Sequence, residues 1–338
     1  MSKLSVYNNL EEKGRVFEAS DYFIIDTIKV FDEWYNKIIE KQKEANEKVR
    51  LNSNSENDTQ DAVYNYYPYI FRGVGDAKYK IFSSAQRDWN INNMSEWAGK
   101  SYLEFVNDLV KVAASEPLLS SVFKYYKLRH NQTDFPTLSI LQHYSAPTPL
   151  IDFTYNLDVA LYFSTEFCQP SISGNPIDQY FSINIIDREI QPQNEFLNLL
   201  QFHRGSFPTL KTFYEWQDNP NSIFYITDFE NKFSRKGFQD QRPITILFNQ
   251  RIIPQEGLFV FNPSPTIPLE DCFNMPLENS NLNLKRMRCV NIKKDLSEYI
   301  RRRIKYSNID KFYIYPVLDE YTKNVKTRVL DDLIKLKP

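Results

Sequence analysis

The residues of this chain that could do chemistry are polar groups set singly into apolar runs. Arg72 closes the aromatic-rich stretch VYNYYPYIFRG, and His143, one of three histidines, interrupts LSILQHY. Asp152 and Thr154 fall inside PLIDFT. A guanidinium at a strand end can grip a carboxylate or a phosphate with two parallel hydrogen bonds. Gly73 and Gly75 behind it leave room for a ligand to approach the backbone. A histidine or carboxylate in apolar surroundings suits acid–base work or the orientation of a ligand hydroxyl. Each also has a purely structural counterpart. Arg72 and Asp152 would form a buried ion pair, His143 a satisfied core residue, and Asp152 or Thr154 a cap for the helix that follows.

Other chemistries lack their residues. No GxxxxGKS, GxxxxGKT, GxGxxG, HExxH or GxSxG occurs, so phosphate loops, dinucleotide fingerprints, zincin sites and nucleophile elbows have no support. Cys168, Cys272 and Cys289 show no CxxC spacing, and neither a thiolate zinc site nor any other metal is expected. A net charge of −2 gives no overall case for nucleic acid or anionic membranes. The run RRRIK at Arg301–Lys305 reads as the solvated face of a helix. No apolar stretch approaches the roughly 18 residues of a membrane span. MSKLSVYNNLEEKGRVFEA lacks the apolar heart of a secretory signal. The expectation is a cytoplasmic protein without a membrane partner. With 22 Tyr and 25 Phe against 8 Gly, its core must be built from large rings, with tyrosines to spare for a ligand.

Elements must hold these residues. SDYFIIDTIKVFDEWYNKIIEKQKE carries Ile24, Ile28, Phe31, Tyr35 and Ile38 at helical spacing, which predicts a helix starting at Ser20. The polar run that follows predicts a flexible insertion over Glu47–Asp61. A strand should then lead into Gly73. Helices are predicted around Leu103–Ala113, near Phe123, from Pro136, and from an Asn156 cap. Strands are predicted at PLIDFT, QYFSINIID, SIFYITDF, PITILFN, GLFVFN and RMRCVNI, followed by a helix over Leu296–Ile304, a strand at KFYIYP and a C-terminal helix. Strands gather after a helical middle, which predicts α+β with a mixed or antiparallel central sheet and flanking helices. The expected division is a helical segment and loop over 1–62, an α+β domain over 63–320 and a final helix over 321–338.

Three separated pieces resemble the FRG domain, a family named for its Phe-Arg-Gly motif. YIFRGVGDAKYKIFSSAQRD carries Phe71-Arg72-Gly73 and then Arg87. The second piece is similar to the family's Gln-His-x-Gly-x-Pro-Thr-Arg-Leu-Leu-Asp-Trp-Thr pattern and its Ala-Leu-Tyr-Phe helix. Gln142, His143, Pro147, Thr148, Leu150, Asp152, Thr154 and Ala160 to Phe163 match it. Ser145, Pro149 and Phe153 stand where that pattern has Gly, Arg and Trp. The third piece, NQRIIPQEGLFVF, is like an Arg-Ile-x-x-Gln-x-Gly-x-Phe element through Arg251, Ile252, Gln255, Gly257 and Phe259.

The order of these pieces is also similar, at fold level, to arginine-type ADP-ribosyltransferases. That likeness implies an NAD or nucleotide pocket. Arg72 would hold phosphate or ribose, Thr154 would line the pocket, and His143 and Asp152 would orient the ribose or each other. Gln255 or Glu256 would take the late acidic position, with only one of the pair facing the cleft if the strand alternates. Gly73, Thr148 and Arg251 complete the binding set. Many FRG proteins belong to bacteria and their viruses, which implies a role in phage defence with a protein as candidate target. The alternative is a non-enzymatic sensor or interaction module whose motif residues form a buried polar network.

Overall fold

The computed structural model describes residues 4–52, 68–125, 134–143, 146–166, 168, 174–187, 224–226, 252, 254–262, 264–274 and 287–315. Its strands are β1 (Tyr22–Ile25), β2 (Tyr69–Val74), β3 (Leu150–Thr154), β4 (Tyr180–Asp187), β5 (Phe224–Ile226), β6 (Gly257–Phe261) and β7 (Met287–Lys293). They form one seven-stranded sheet in the order β1-β7-β4-β2-β3-β6-β5. β1 runs parallel to β7, and the other neighbours pair antiparallel. The helices are α1 (Leu10–Gly14), α2 (Ile28–Asn52), α3 (Ser84–Ile91), α4 (Met94–Trp97), α5 (Tyr102–Ser115), α6 (Pro117–Tyr125), α7 (Asp134–His143), α8 (Leu157–Glu166), α9 (Leu269–Asn274), α10 (Ser297–Tyr306) and α11 (Lys311–Ile314). The α+β class with a mixed central sheet is thus what the sequence pattern indicates.

Alternation along the strands sorts side chains to two faces. On one face Phe71, Phe181, Ile183, Ile185, Val290 and Ile292 pack under α2, α8 and α10. Farther along the same face, Leu150, Phe259 and Phe261 pack under α3, α5 and α7. The opposite face carries Ile70, Ile151, Phe153, Ile186, Leu258 and Val260 beneath α9. The helices on the first face fall into two groups, α8 over β2 and α7 beside β3. The site forms in the seam between them.

Several elements differ from the sequence expectation. Ser20 does not cap a helix: YFII forms β1, and the helix begins at Ile28, after Thr27, whose Oγ1 accepts from Val30 N (3.4 Å). Four aromatic and branched residues suit a strand better than a helical turn, and β7 offers them a partner. The segment expected as a helical annex therefore supplies a strand of the central sheet. α2 continues to Asn52, into the stretch predicted as an insertion, because its Glu, Lys and Ala residues favour helix. KFYIYP is not a strand but opens as α11, with Asp310 Oδ1 accepting from Tyr313 N (2.9 Å). Of SIFYITDF only β5 is described. PITILFN, most of the predicted insertion, and the predicted final helix over 321–338 lie outside the described residues. No helix among the described residues is long and apolar enough to cross a membrane.

Candidate functional site

A cavity of about 330 Å³ opens in the seam. Its polar lining comes from Arg72, Gln142, Asp152, Thr154 and Gln255, and its aromatic lining from Phe71, Phe153, Phe163 and Tyr315. Gly73 and Ala160 complete the wall where α8 lies against β2.

The approach of α8 to β2 is possible because residue 73 has no side chain. A Cβ built on Gly73 would meet Ala160 O at 2.0 Å and Ser164 N at 2.8 Å. The space behind Arg72 is thus filled by the α8 backbone. Asn156 starts α8, its Oδ1 accepting from Asp158 N (2.9 Å). Its Nδ2 donates to Glu256 Oε1 (2.8 Å), which fastens the start of α8 to the turn before β6.

β2 and β3 share a single register pair, Phe71 with Thr154. Beside that lapse the Arg72 guanidinium donates from Nη1 to the backbone oxygen of Asp152 (2.6 Å). Arg72 Nε is buried and has no hydrogen-bond partner, and no carboxylate among the described residues pairs with Arg72. The Arg72–Asp152 ion pair that the sequence allowed therefore does not form. The two charges still attract across the cavity wall, against the cost of burial, which lowers the Arg72 pKa.

The Asp152 carboxylate is held from the other side. Gln142 Nε2 donates to Asp152 Oδ2 (2.5 Å), while Gln142 Oε1 accepts from Thr148 Oγ1 (2.5 Å). This relay fixes the amide's orientation, because the hydroxyl must donate to the oxygen end. Asp152 is exposed, yet the surrounding chain still pushes its pKa up, as for a carboxylate on the wall of a concave site. The opposing influences are, in order, the Arg72 charge, the Gln142 hydrogen bond, a backbone hydrogen bond and the Arg87 charge.

Thr154 and Gln255 close the far end. Thr154 Oγ1 donates to Gln255 O (2.6 Å) and accepts from Asn156 N (3.0 Å), so its hydroxyl is spent on the chain. Gln255 Nε2 donates to Ile314 O (2.9 Å), which brings Tyr315 to the cavity. Tyr315 stands edge-on to Phe163 (6.3 Å) and donates to Glu166 Oε2 (2.9 Å).

A family model describes part of this assembly: the FRG domain model matches residues 67–171. The chain carries an FRG domain. The matched stretch runs from β2 to just beyond α8 and contains Arg72, Gln142, Asp152, Thr154 and Phe163. Gln255 and Tyr315 reach the FRG cavity from outside it. No curated protein and no solved structure gives a significant match to the chain.

Against the sequence reading, the FRG cavity brings together Arg72, Gly73, Asp152, Thr154 and Gln255. Thr148 is fully buried and reaches it through Gln142. Gln255 and Glu256 lie in a turn before β6 rather than in an alternating strand, and Glu256 adopts φ 46°. That left-handed turn directs the Glu256 carboxylate to Asn156, and Glu256 is not among the lining residues. His143 ends α7, but its side chain, like Arg251, lies outside the described residues. Gln142 and Tyr315 were not expected at the site. Gln142 carried a signal, since it stands beside His143 in the motif. No group of three or more His, Cys, Asp or Glu among the described residues is placed to hold a metal ion.

Proposed function

We propose that the FRG cavity binds a nucleotide, with NAD the first candidate. The observation that carries this reading is the meeting of two unsaturated polar groups between aromatic walls. They are Arg72, whose Nε has no partner, and Asp152, whose carboxylate is exposed and held by Gln142 on one oxygen only. A guanidinium suits phosphate, a carboxylate suits a ribose diol, and Phe163 and Tyr315 suit the edge or face of a planar ring. The volume of about 330 Å³ is near the lower end of ligand pockets, about 300–1,000 Å³. It accommodates one nucleoside half of a dinucleotide, with the remainder across the rim.

Bound NAD would supply an ADP-ribosyl group. Asp152 is the one carboxylate among the described lining residues, since Gln255 is uncharged and Glu256 serves Asn156. Transferase chemistry of the ADP-ribosyl type therefore rests on Asp152 in this reading. The setting proposed with it is bacterial conflict with phage, with a protein as acceptor. Incubation with labelled NAD, comparing the wild type with Arg72→Ala, is the test. Binding, hydrolysis or transfer in the wild type, weakened in the variant, is expected. An absence of all of these with every nucleotide tried would overturn the reading.

A second reading is favoured by one observation. The hydrogen bond from Arg72 to Asp152 O ties β2 to β3 where their ladder has lapsed, which is a structural duty. If the domain is an interaction module, Arg72→Ala lowers the melting temperature sharply. If Arg72 serves a ligand, the variant keeps most of its stability and loses binding.

A further inference from the structure

Two side-chain amides belong to the lining of the FRG cavity, and the chain uses them differently. Gln142 is occupied at both ends, its Nε2 donating to Asp152 Oδ2 and its Oε1 accepting from Thr148 Oγ1. Gln255 is held by its nitrogen alone. Nε2 donates to Ile314 O (2.9 Å), while Oε1 accepts no hydrogen bond among the described residues. The backbone of Gln255 is fixed as well, because its carbonyl accepts from Thr154 Oγ1 (2.6 Å). The amide cannot turn over: reversed, it would set Oε1 against Ile314 O, two acceptors with no proton between them. The open end of Gln255 is an acceptor and stays one.

Aromatic carbon stands beside it. Ile314 precedes Tyr315, so the Gln255 side chain ends next to a second lining residue of the same cavity. Glu166 takes the hydroxyls of Tyr162 on Oε1 (3.0 Å) and of Tyr315 on Oε2 (2.9 Å), which holds the Tyr315 ring edge-on to Phe163. A flat ring packed there still needs a partner for its polar edge.

We infer that Gln255 reads that edge: its Oε1 accepts from an NH2 group carried by the ring, so that the ligand class is a nucleotide whose base bears an exocyclic amino or carboxamide group. This rests on the nucleotide reading of the cavity. Adenine and nicotinamide both present such a group, and one acceptor serves either. A ring bearing oxygen at that place meets Oε1 oxygen to oxygen, and the locked amide cannot reverse to receive it. Specificity then comes from repelling the wrong ring as well as from holding the right one.

The test is calorimetric titration of the full chain, at fixed ionic strength, with two pairs of ligands that differ at this ring substituent. They are AMP against IMP, and nicotinamide mononucleotide against nicotinic acid mononucleotide. In at least one pair the NH2-bearing member is expected to bind about tenfold more tightly, and that pair names the base which enters the cavity. Gln255→Met, similar in length but without the acceptor, should bring the same pair within about twofold. A thermal melt checks that the variant folds, and if it does not, the wild-type ratios alone decide. Equal affinities within both pairs overturn the assignment while the nucleotide reading stands. A variant that binds both members more weakly yet keeps their ratio has lost only the wall, and overturns it too. Failure of all four ligands to bind the wild type overturns both readings.

Discussion

Arg72 reaches Asp152 through the backbone: its Nη1 lies 2.6 Å from the Asp152 carbonyl oxygen, while the carboxylate of the same residue is held by Gln142. The pair is thus close without being a closed ion pair. Arg72 Nε is left without a partner and one Asp152 oxygen without a side-chain donor, and the predictions below follow from that separation.

Gln142→Leu should cost more than one hydrogen bond. It strips Asp152 of its donor and leaves the buried Thr148 hydroxyl without its acceptor. A stability loss of about 1–3 kcal/mol is expected, with weaker nucleotide binding. A double-mutant cycle with Asp152→Asn should show a coupling of about 0.5–3 kcal/mol. Additive effects would mean that the relay does not operate.

Gly73→Ala should be among the most damaging single changes. The added Cβ would fall 2.0 Å from Ala160 O, a backbone atom that cannot swing away. The cost should reach or exceed the ~1–3 kcal/mol typical of overpacking. Thermal denaturation reads it directly, and an unchanged melting temperature would contradict the packing of α8 on β2.

Glu256→Gln should leave nucleotide affinity within about twofold, because the amide oxygen can still accept from Asn156 and the cavity loses no lining group. Asp152→Asn should weaken it much more. The reverse ranking in equilibrium dialysis would place the working carboxylate at the turn before β6.

Asp152 should also mark the stability profile. Exposed as it is at its tip, Asp152 is ringed by enough of the cavity wall to lose solvation, which raises its pKa, so the folded chain holds that proton more tightly than the unfolded one. Its contribution is fully present below the unfolded value of about 3.9 and is lost as pH rises through the higher folded value. Relative to Asp152→Asn, wild-type stability should therefore fall across that window. Urea unfolding at a series of pH values would show this, and parallel profiles would refute it.

Much of this site was legible because polar residues interrupt its apolar runs. Arg72, Asp152 and Thr154 stood out as candidates on that ground and Gln255 through the family likeness, while the α+β sheet followed from the clustering of strands. Arg87 was visible in the motif, but nothing in the sequence tied it to the site. Pro149, where the family pattern has arginine, suggested instead that no second guanidinium stood there. The docking of Ser84 on Thr148, which sets the start of α3 against the chain just before β3, left no sequence signal. The choice between Gln255 and Glu256 was equally hidden, because alternation says nothing about a left-handed residue in a turn. Tyr315 was obscured by the aromatic run KFYIYP, which has strand composition but an aspartate cap ahead of it.

The most direct measurement is a crystal structure of the chain grown with NAD or ADP. The account requires the ligand in the FRG cavity, with phosphate at Arg72, ribose at Asp152 and a ring against Phe163 or Tyr315. A nucleotide bound elsewhere, or a cavity closed by the chain's own side chains with Arg72 paired to a carboxylate, would contradict it.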